Sequence, residues 1–489
     1  MMADSGHTAG RIGRAFGLQL FGRVFGTLAS LATVTFTTRY LGPEDYGYLT
    51  AAVMFITLWA AFADLGFSEV IVRRVTDSRL RERPSVERLV GISLGFAVVW
   101  SLPLSLITLG VGLVVYRNDP QIAKLLLITV GSLALTTLYT SFDAVFKVHL
   151  RYGAVALADF GGRTLSMAMT LVLVSQGAGL EWFAVVQLVP PAVNLVLMAF
   201  AAARLGQVRP RFEISATRSL LVESFPITVV LIIAVLYWRI DGVLLSVLSS
   251  ADQVGHYGLA YSLAFLVTMV SDLLLASLLS TATALFASDR DRFAQIVART
   301  SQIMYFLAVP IAVVGPILAA PIITMISSDS FADGAPVLAL LFVAAAVTFL
   351  NSAASQALFA AHDQHFLMKL NACTLVFNIV ANVALIPHFG ARGAAAALVA
   401  TEVLGLACSR WRLAKRGLYR EPIGFILRLA IPAAAAGVTA YLLCDLSPLV
   451  SLPAAAACYV AVNFVVGPAN KRFVTTLRAS SDQHVEGAS

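Results

Sequence analysis

Apolar residues run along this chain in long blocks broken by short polar stretches, not at the alternating spacing of a half-buried strand. A bilayer core about 30 Å thick needs roughly 20 apolar residues per helical crossing. On that measure the blocks predict fourteen spans, near residues 16-38, 47-67, 89-115, 123-146, 155-176, 183-203 and 221-246, then 257-284, 300-320, 335-360, 370-388, 394-411, 423-443 and 450-467. The expected fold class is therefore an all-α polytopic membrane protein with about 14 transmembrane helices. Pro190-Pro191 in span six and Pro310 with Pro316 in span nine remove backbone donors, so both places are expected to break the helix and act as hinges.

The pattern also repeats. Tyr46-Gly47 recurs as Tyr257-Gly258, Ala144-x-Phe146-x-x-His149 as Ala357-x-Phe359-x-x-His362, and Gly177-Ala178 as Gly390-Ala391, in one order and at an offset of about 211 to 213 residues. Each copy holds six spans, an even number, so the second re-enters the membrane in the orientation of the first. The expectation is two six-helix lobes in parallel pseudo-repeat, with a working site where the copies meet. In domain terms this gives a cytoplasmic N-terminus at 1-15, an N-lobe at 16-203, a cytoplasmic linker at 204-220 and a C-lobe at 221-411. Two additional helices occupy 423-467, and a cytoplasmic tail occupies 468-489.

Composition agrees with the pattern: 59% of residues are hydrophobic and 12% charged, with a mean hydropathy of +0.84, far from the balance of a soluble domain. The net charge of +7 is unevenly placed. Alternate breaks carry Arg73, Arg74, Arg79, Arg81, Arg83 and Arg88, or Arg410, Arg412, Lys415, Arg416 and Arg420, whereas the opposite side carries only Arg39, Arg117, Lys124 and Arg392. Basic residues stay on the cytoplasmic side, so both termini are expected there, and the charge calls for no nucleic-acid partner. No removable signal peptide is read at the N-terminus. Cys373, Cys408, Cys444 and Cys458 lie in or beside apolar runs and read as packing residues. No break exceeds roughly 20 residues, too short for a soluble catalytic domain, so the helices must do the work.

Particular residues carry a family likeness. Leu41-Gly42-Pro43-Glu44-Asp45-Tyr46-Gly47, with Ala63-Asp64-Leu65-Gly66 closing span two, resembles the N-terminal hallmark of the Wzx-type polysaccharide biosynthesis and oligosaccharide flippases. Asp241, Gly255-x-Tyr257-x-x-Ala260-Tyr261 and Ile386-Pro387-His388-Phe389-Gly390-Ala391-Arg392-Gly393-Ala394 resemble the matching hallmarks of the second half. Span one lacks the early Asn that many such chains carry. The resemblance, over roughly residues 12 to 415, implies the fold of the multidrug/oligosaccharidyl-lipid/polysaccharide exporter superfamily. It further implies alternating-access transfer of a polyprenyl-diphosphate-linked oligosaccharide to the outer leaflet of the bacterial inner membrane. As motifs, these stretches read first as turn and packing devices.

Charges within the spans are the candidate chemistry, because ionisable groups there are costly and usually face a bundle interior or a wet cavity. Arg23 lies about 10 Å into span one at 1.5 Å per residue, between Gly22 and Gly26. Arg163 follows Asp159 by four residues, the spacing of a helical ion pair. Arg239 and Asp241 are two apart and point in different directions. Arginine suits diphosphate, since its planar fork holds two oxygens while staying charged. Arg23, Arg163 and Arg239 are thus the expected substrate-binding residues, and Glu402, Asp241 and Asp159 the expected coupling or gating acids. Asp64, Asp143 and Asp272 read as helix-end or gate contacts, and Asn378 with Asn382 as a packing stripe. His362-Asp363-Gln364-His365 offers too few ligands for a metal, so neither metal nor cofactor is expected.

Two other readings stay open. A cation-coupled drug or small-molecule antiporter of the same fold would use a deep cluster of acids. A membrane glycan polymerase or ligase would need a sizeable outer loop, and the outer breaks here are short. The expected partners are the polyprenyl-diphosphate-linked glycan, membrane lipids, and a glycan polymerase and glycosyltransferases.

Overall fold

The structure, a computed structural model, describes residues 5–77, 85–149, 151–206 and 208–468. The side chains of residues 5–21, Arg23, Val24, Asp64, Tyr152 and Ser277 lie outside that description. Among the described residues there are helices and turns but no strand. In chain order the helices are α1 (Ser5–Trp59), α2 (Ala61–Asp64), α3 (Phe67–Thr76), α4 (Val86–Val115), α5 (Pro120–Thr140) and α6 (Asp143–Val148). There follow α7 (Tyr152–Gln176), α8 (Leu180–Val186), α9 (Val189–Ala203), α10 (Ile214–Leu248), α11 (Ala251–Ser288) and α12 (Arg290–Ile326). After a 3-10 turn at Asp329–Gly334 come α13 (Ala335–Ala360), α14 (Gln364–Lys415), α15 (Ile423–Leu442) and α16 (Pro448–Val465).

Twelve stretches are long and apolar enough to cross a membrane, and two of these, Phe25–Thr76 and Gln364–Lys415, hold 52 residues each. A straight helix of that length would reach about 78 Å, more than twice a bilayer core. Neither is straight. Gly42 (φ 76°) breaks α1 and Gly390 (φ 54°) breaks α14, both in the left-handed region where a Cβ is strained. After Gly390 the chain folds back, so that a Cβ on Gly393 would stand 2.6 Å from the Leu385 carbonyl oxygen. Counting a crossing on either side of each glycine, the stretches correspond one to one with the fourteen spans of the sequence pattern. The chain is a multi-pass membrane protein.

Two compact units divide between Gly255 and His256, just inside α11. In the first, α7 lies against α1 and α10 joins the same bundle. A side chain on Gly47 would collide with the Ala251 carbonyl, and one on Gly255 with the Pro43 carbonyl. The turn after span one and the start of α11 therefore meet backbone to backbone. At the other end of span two the helix breaks at Leu65 (φ 51°) and Gly66 (φ 71°). Thr228 Oγ1 of α10 donates to the Leu65 carbonyl, freed by the break, at 2.6 Å. Span two was expected to end near residue 67; instead α3 carries the chain on to Thr76. Its Arg74 donates to Glu223 of α10 at 2.7 Å and its Glu69 accepts from Lys147 of α6 at 2.8 Å.

In the second unit, α12 passes Pro310, Pro316 and Pro321 without leaving helical geometry. The expected break in span nine is not found, because neighbouring helices in such a bundle support the turns that lose a bond. Pro190 and Pro191 stand in the first turn of α9, just after α8 ends, where a missing N–H costs nothing. The additional helices α15 and α16 pack on each other and on α12. Tyr459 donates to the Phe306 carbonyl at 2.9 Å, and Val313 lies 2.8 Å from where a Cβ on Gly437 would be.

Candidate functional site

In the first unit, small residues on α1 let α7 approach closely enough to seat a charge. A Cβ on Gly22 would lie 3.1 Å from the Ala156 Cβ, and one on Gly26 would lie 3.2 Å from the Arg163 Cδ. The Arg163 stem thus runs across Gly26, which carries its guanidinium back to Asp159 and forward to α1. Nε donates to Asp159 Oδ2 at 2.9 Å and Nη1 to Ser30 Oγ at 2.8 Å. Ser30 in turn donates to the Gly26 carbonyl at 3.1 Å. The pair remains accessible, with side-chain exposures of 40% and 39% for Arg163 and Asp159. Its fork is only partly engaged, so an oxyanion approaching α1 and α7 would meet remaining N–H donors.

Arg23 is on α1, one residue after Gly22, with its side chain outside the described residues. On α10, Arg239 is half-buried and Asp241 is buried. Both have partners, so neither is a bare charge. Gly242, next to Asp241, lies against Met54 of α1. The structure therefore places Arg163 and Asp159 together and leaves Arg239 and Asp241 on a separate helix of the same unit. Asp143 opens α6 and Asp272 is exposed on α11, whereas the Asp64 side chain lies outside the described residues.

Glu402 belongs to a buried polar seam in the second unit. It is 1% exposed, and its Oε2 accepts from Asn351 Nδ2 of α13 at 3.0 Å. One residue earlier, Thr401 accepts from Asn378 Nδ2 at 3.2 Å. Asn382 Nδ2 donates to the Asn378 carbonyl at 2.9 Å and to Asn378 Oδ1 at 3.1 Å. Asn378 thus ties the arms of α14 together across the turn at Gly390, braced by Asn382 on its own arm, as interhelical amides do in membranes. Asn351 Oδ1 has no hydrogen-bond partner among the described residues. Asn351, Thr401 and Ser30 did not stand out in the sequence; an amide in the middle of the alanine-rich span ten was the signal for the first.

At the α13–α14 turn, His362 takes a positive φ of 56° and packs its ring on Phe286. Asp363 accepts from Arg412 at 2.7 Å and from Arg416 at 3.2 Å. The hydrogen bond from Arg412 holds its carboxyl below the ordinary aspartate range. Among the described residues, no three His, Cys, Asp or Glu side chains gather as metal ligands.

Comparison with known proteins adds to this geometry. Residues 36–336 match the family described as "Polysaccharide biosynthesis protein". A comparison with curated proteins finds no match. Among solved structures, the chain is similar to the lipid II flippase MurJ in an inward closed conformation, with a TM-score of 0.77 at 15% identity, covering 92% of this chain and 98% of that one. An inward-facing multidrug resistance MATE family transporter of the MOP superfamily gives 0.65 at 14% identity, covering 80% and 95%. A MOP superfamily transporter from Pyrococcus furiosus gives 0.55 at 15%, covering 82% and 95%. At these identities the likeness establishes the fold: the arrangement of helices is that of MOP superfamily transporters.

Proposed function

The chain belongs to the polysaccharide biosynthesis protein family, and from that membership we propose that it is a flippase for a polyprenyl-diphosphate-linked oligosaccharide. It would take the lipid from the cytoplasmic to the outer leaflet of the inner membrane by alternating access, with both termini in the cytoplasm. The match over residues 36–336 is the observation that carries this reading. The fold supports it, because the structures it resembles are those of a lipid II flippase and of multidrug resistance transporters.

The chemistry asked of such a protein is desolvation. A diphosphate and its sugars cannot enter hydrocarbon without compensation, so the path must supply donors and positive charge while the prenyl tail stays among lipids. Arg163, held over Gly26 with part of its fork open, is suited to receive two phosphate oxygens. In this reading Arg23 and Arg239 add charge along the same path. Asp159 returns Arg163 to a paired state once the headgroup leaves, which prevents the site from trapping its product. Asp241 and Glu402 serve as the acids whose proton occupancy favours one state over the other. No bond is made or broken, so the reading is of a transporter and not of an enzyme.

A cation-coupled antiporter is the second reading, favoured by the buried Glu402 and the MATE-like fold. The experiment is complementation of a strain lacking its own lipid-linked oligosaccharide flippase. Wild-type chain restores surface glycan, whereas Arg23→Ala, Arg163→Ala and Arg239→Ala together abolish it at equal protein level. Full delivery by the triple variant contradicts the cationic path, and drug export without glycan delivery favours the antiporter.

A further inference from the structure

A second cationic place lies within the second unit, where α14 ends and α15 begins. Gly417, at φ 68°, terminates α14, with Leu418 N–H donating to the Leu413 carbonyl at 3.0 Å, the hydrogen bond of a left-handed helix cap. The turn is then anchored by one carboxylate. Glu421 Oε1 accepts from Arg410 at 2.8 Å, and its Oε2 accepts from the Tyr305 and Tyr419 hydroxyls at 3.1 Å each. Arg410 also lies over the Tyr305 ring, 5.0 Å from its centre. With Glu421 fully engaged and Tyr419 buried, the neighbouring Arg420 is left exposed. It makes no ion pair or hydrogen bond among the described residues.

An open cavity of about 540 Å³ lies here, lined by Arg410, Trp411, Tyr419, Arg420 and Glu421. That size falls within the range of small-molecule sites. We propose that it binds the headgroup of an anionic phospholipid of the surrounding bilayer. Three observations select this occupant. The cavity sits at the junction of two stretches long and apolar enough to cross a membrane, Gln364–Lys415 and Ile423–Leu442, and the ends of such helices meet the headgroup layer. Trp411 is 58% exposed at its rim, as indoles are at the headgroup level, and Lys415 Nζ lies 5.2 Å from the centre of the Trp411 ring. Along α15, exposed Ile423, Leu427 and Ile431 follow at four-residue spacing, forming an apolar track for acyl chains leading away from Arg420. Arg420 and Lys415 give the rim positive charge beyond the Arg410–Glu421 pair, so a zwitterionic lipid lacks the net charge the rim selects.

Native mass spectrometry of the full chain in detergent, titrated with phosphatidylglycerol or phosphatidylcholine, tests the site. Phosphatidylglycerol is expected to be retained in preference, and Arg420→Gln to lower its occupancy about fivefold, the value of one basic contact at a membrane surface. Arg420→Lys should keep the lipid, and so should Arg209→Gln, which removes an exposed arginine of the first unit. An equal thermal midpoint for Arg420→Gln and wild type shows that the turn still folds. Undiminished phosphatidylglycerol on Arg420→Gln overturns the proposal, as does equal retention of phosphatidylcholine. Displacement by millimolar inorganic phosphate would make it a small-anion site. Displacement by equimolar polyprenyl phosphate would make it a site for the transported class of lipid; either result contradicts a bilayer-lipid site.

Discussion

A single carboxylate shows how little room a residue has inside this bundle. Glu402 is buried against Asn351, whose Oδ1 already lacks a partner among the described residues. Glu402→Leu would strand the amide donor as well, at a cost of about 1–3 kcal/mol. The expected outcome is a lower thermal midpoint and less folded protein, whereas Glu402→Gln, which keeps an acceptor oxygen, should fold at near wild-type yield. Asp363 gives a prediction in pH. Its folded carboxyl is held below the ordinary range by Arg412, so its stabilisation is fully present above the unfolded pKa of about 3.9 and fades as pH falls through the lower folded value. Asp363→Asn should therefore cost about 0.5–1 kcal/mol at neutral pH. The difference in thermal midpoint from wild type should shrink as pH drops below about 4. The Asp159–Arg163 pair was legible from its spacing alone, because four residues fix a helix face. Which charges share a surface was not, since depth along a span says nothing about rotation toward a neighbour; Ser30 and Asn351 became visible only once helices were packed.

Whole elements were legible because a bilayer admits few ways to satisfy a backbone. The fourteen spans emerge in order, and Gly177 and Gly390, paired by the repeat, both adopt positive φ, 66° and 54°. The repeated dipeptide therefore marks a turn at the end of the corresponding span in each copy, although the turns differ in ψ, 35° at Gly177 and −132° at Gly390. Proline misled the reading in span nine: α12 holds its helix through three prolines, since a lost hydrogen bond weakens a turn without dictating a bend. The break that does occur in span two lies at Leu65-Gly66, where Thr228 from α10 takes up the freed carbonyl. The hallmark around Gly42 proves to be a packing device. Gly47 meets the Ala251 carbonyl so closely that Gly47→Ala must displace α11 or the turn, at a cost of about 1–3 kcal/mol or more. Fluorescence-detected size exclusion should show a reduced monodisperse peak for Gly47→Ala, and a wild-type peak for an alanine at Gly110, where nothing stands in the way.

At the scale of the molecule, membership in the polysaccharide biosynthesis protein family and a MOP transporter fold meet in a chain whose buried charges, among the described residues, are few. The proposed transport depends on charges that can exchange protein partners for phosphate, and Arg163 is the clearest example. Purified chain reconstituted into liposomes with a labelled polyprenyl-diphosphate oligosaccharide offers the most direct measurement. A sugar-cleaving enzyme added outside reports how much of the label reaches the outer leaflet. The account predicts that wild-type chain exposes the label beyond the outer-leaflet share of protein-free liposomes, and that Arg163→Ala slows this exposure. Label in wild-type liposomes that stays at the protein-free level, with the chain folded and inserted, would contradict it.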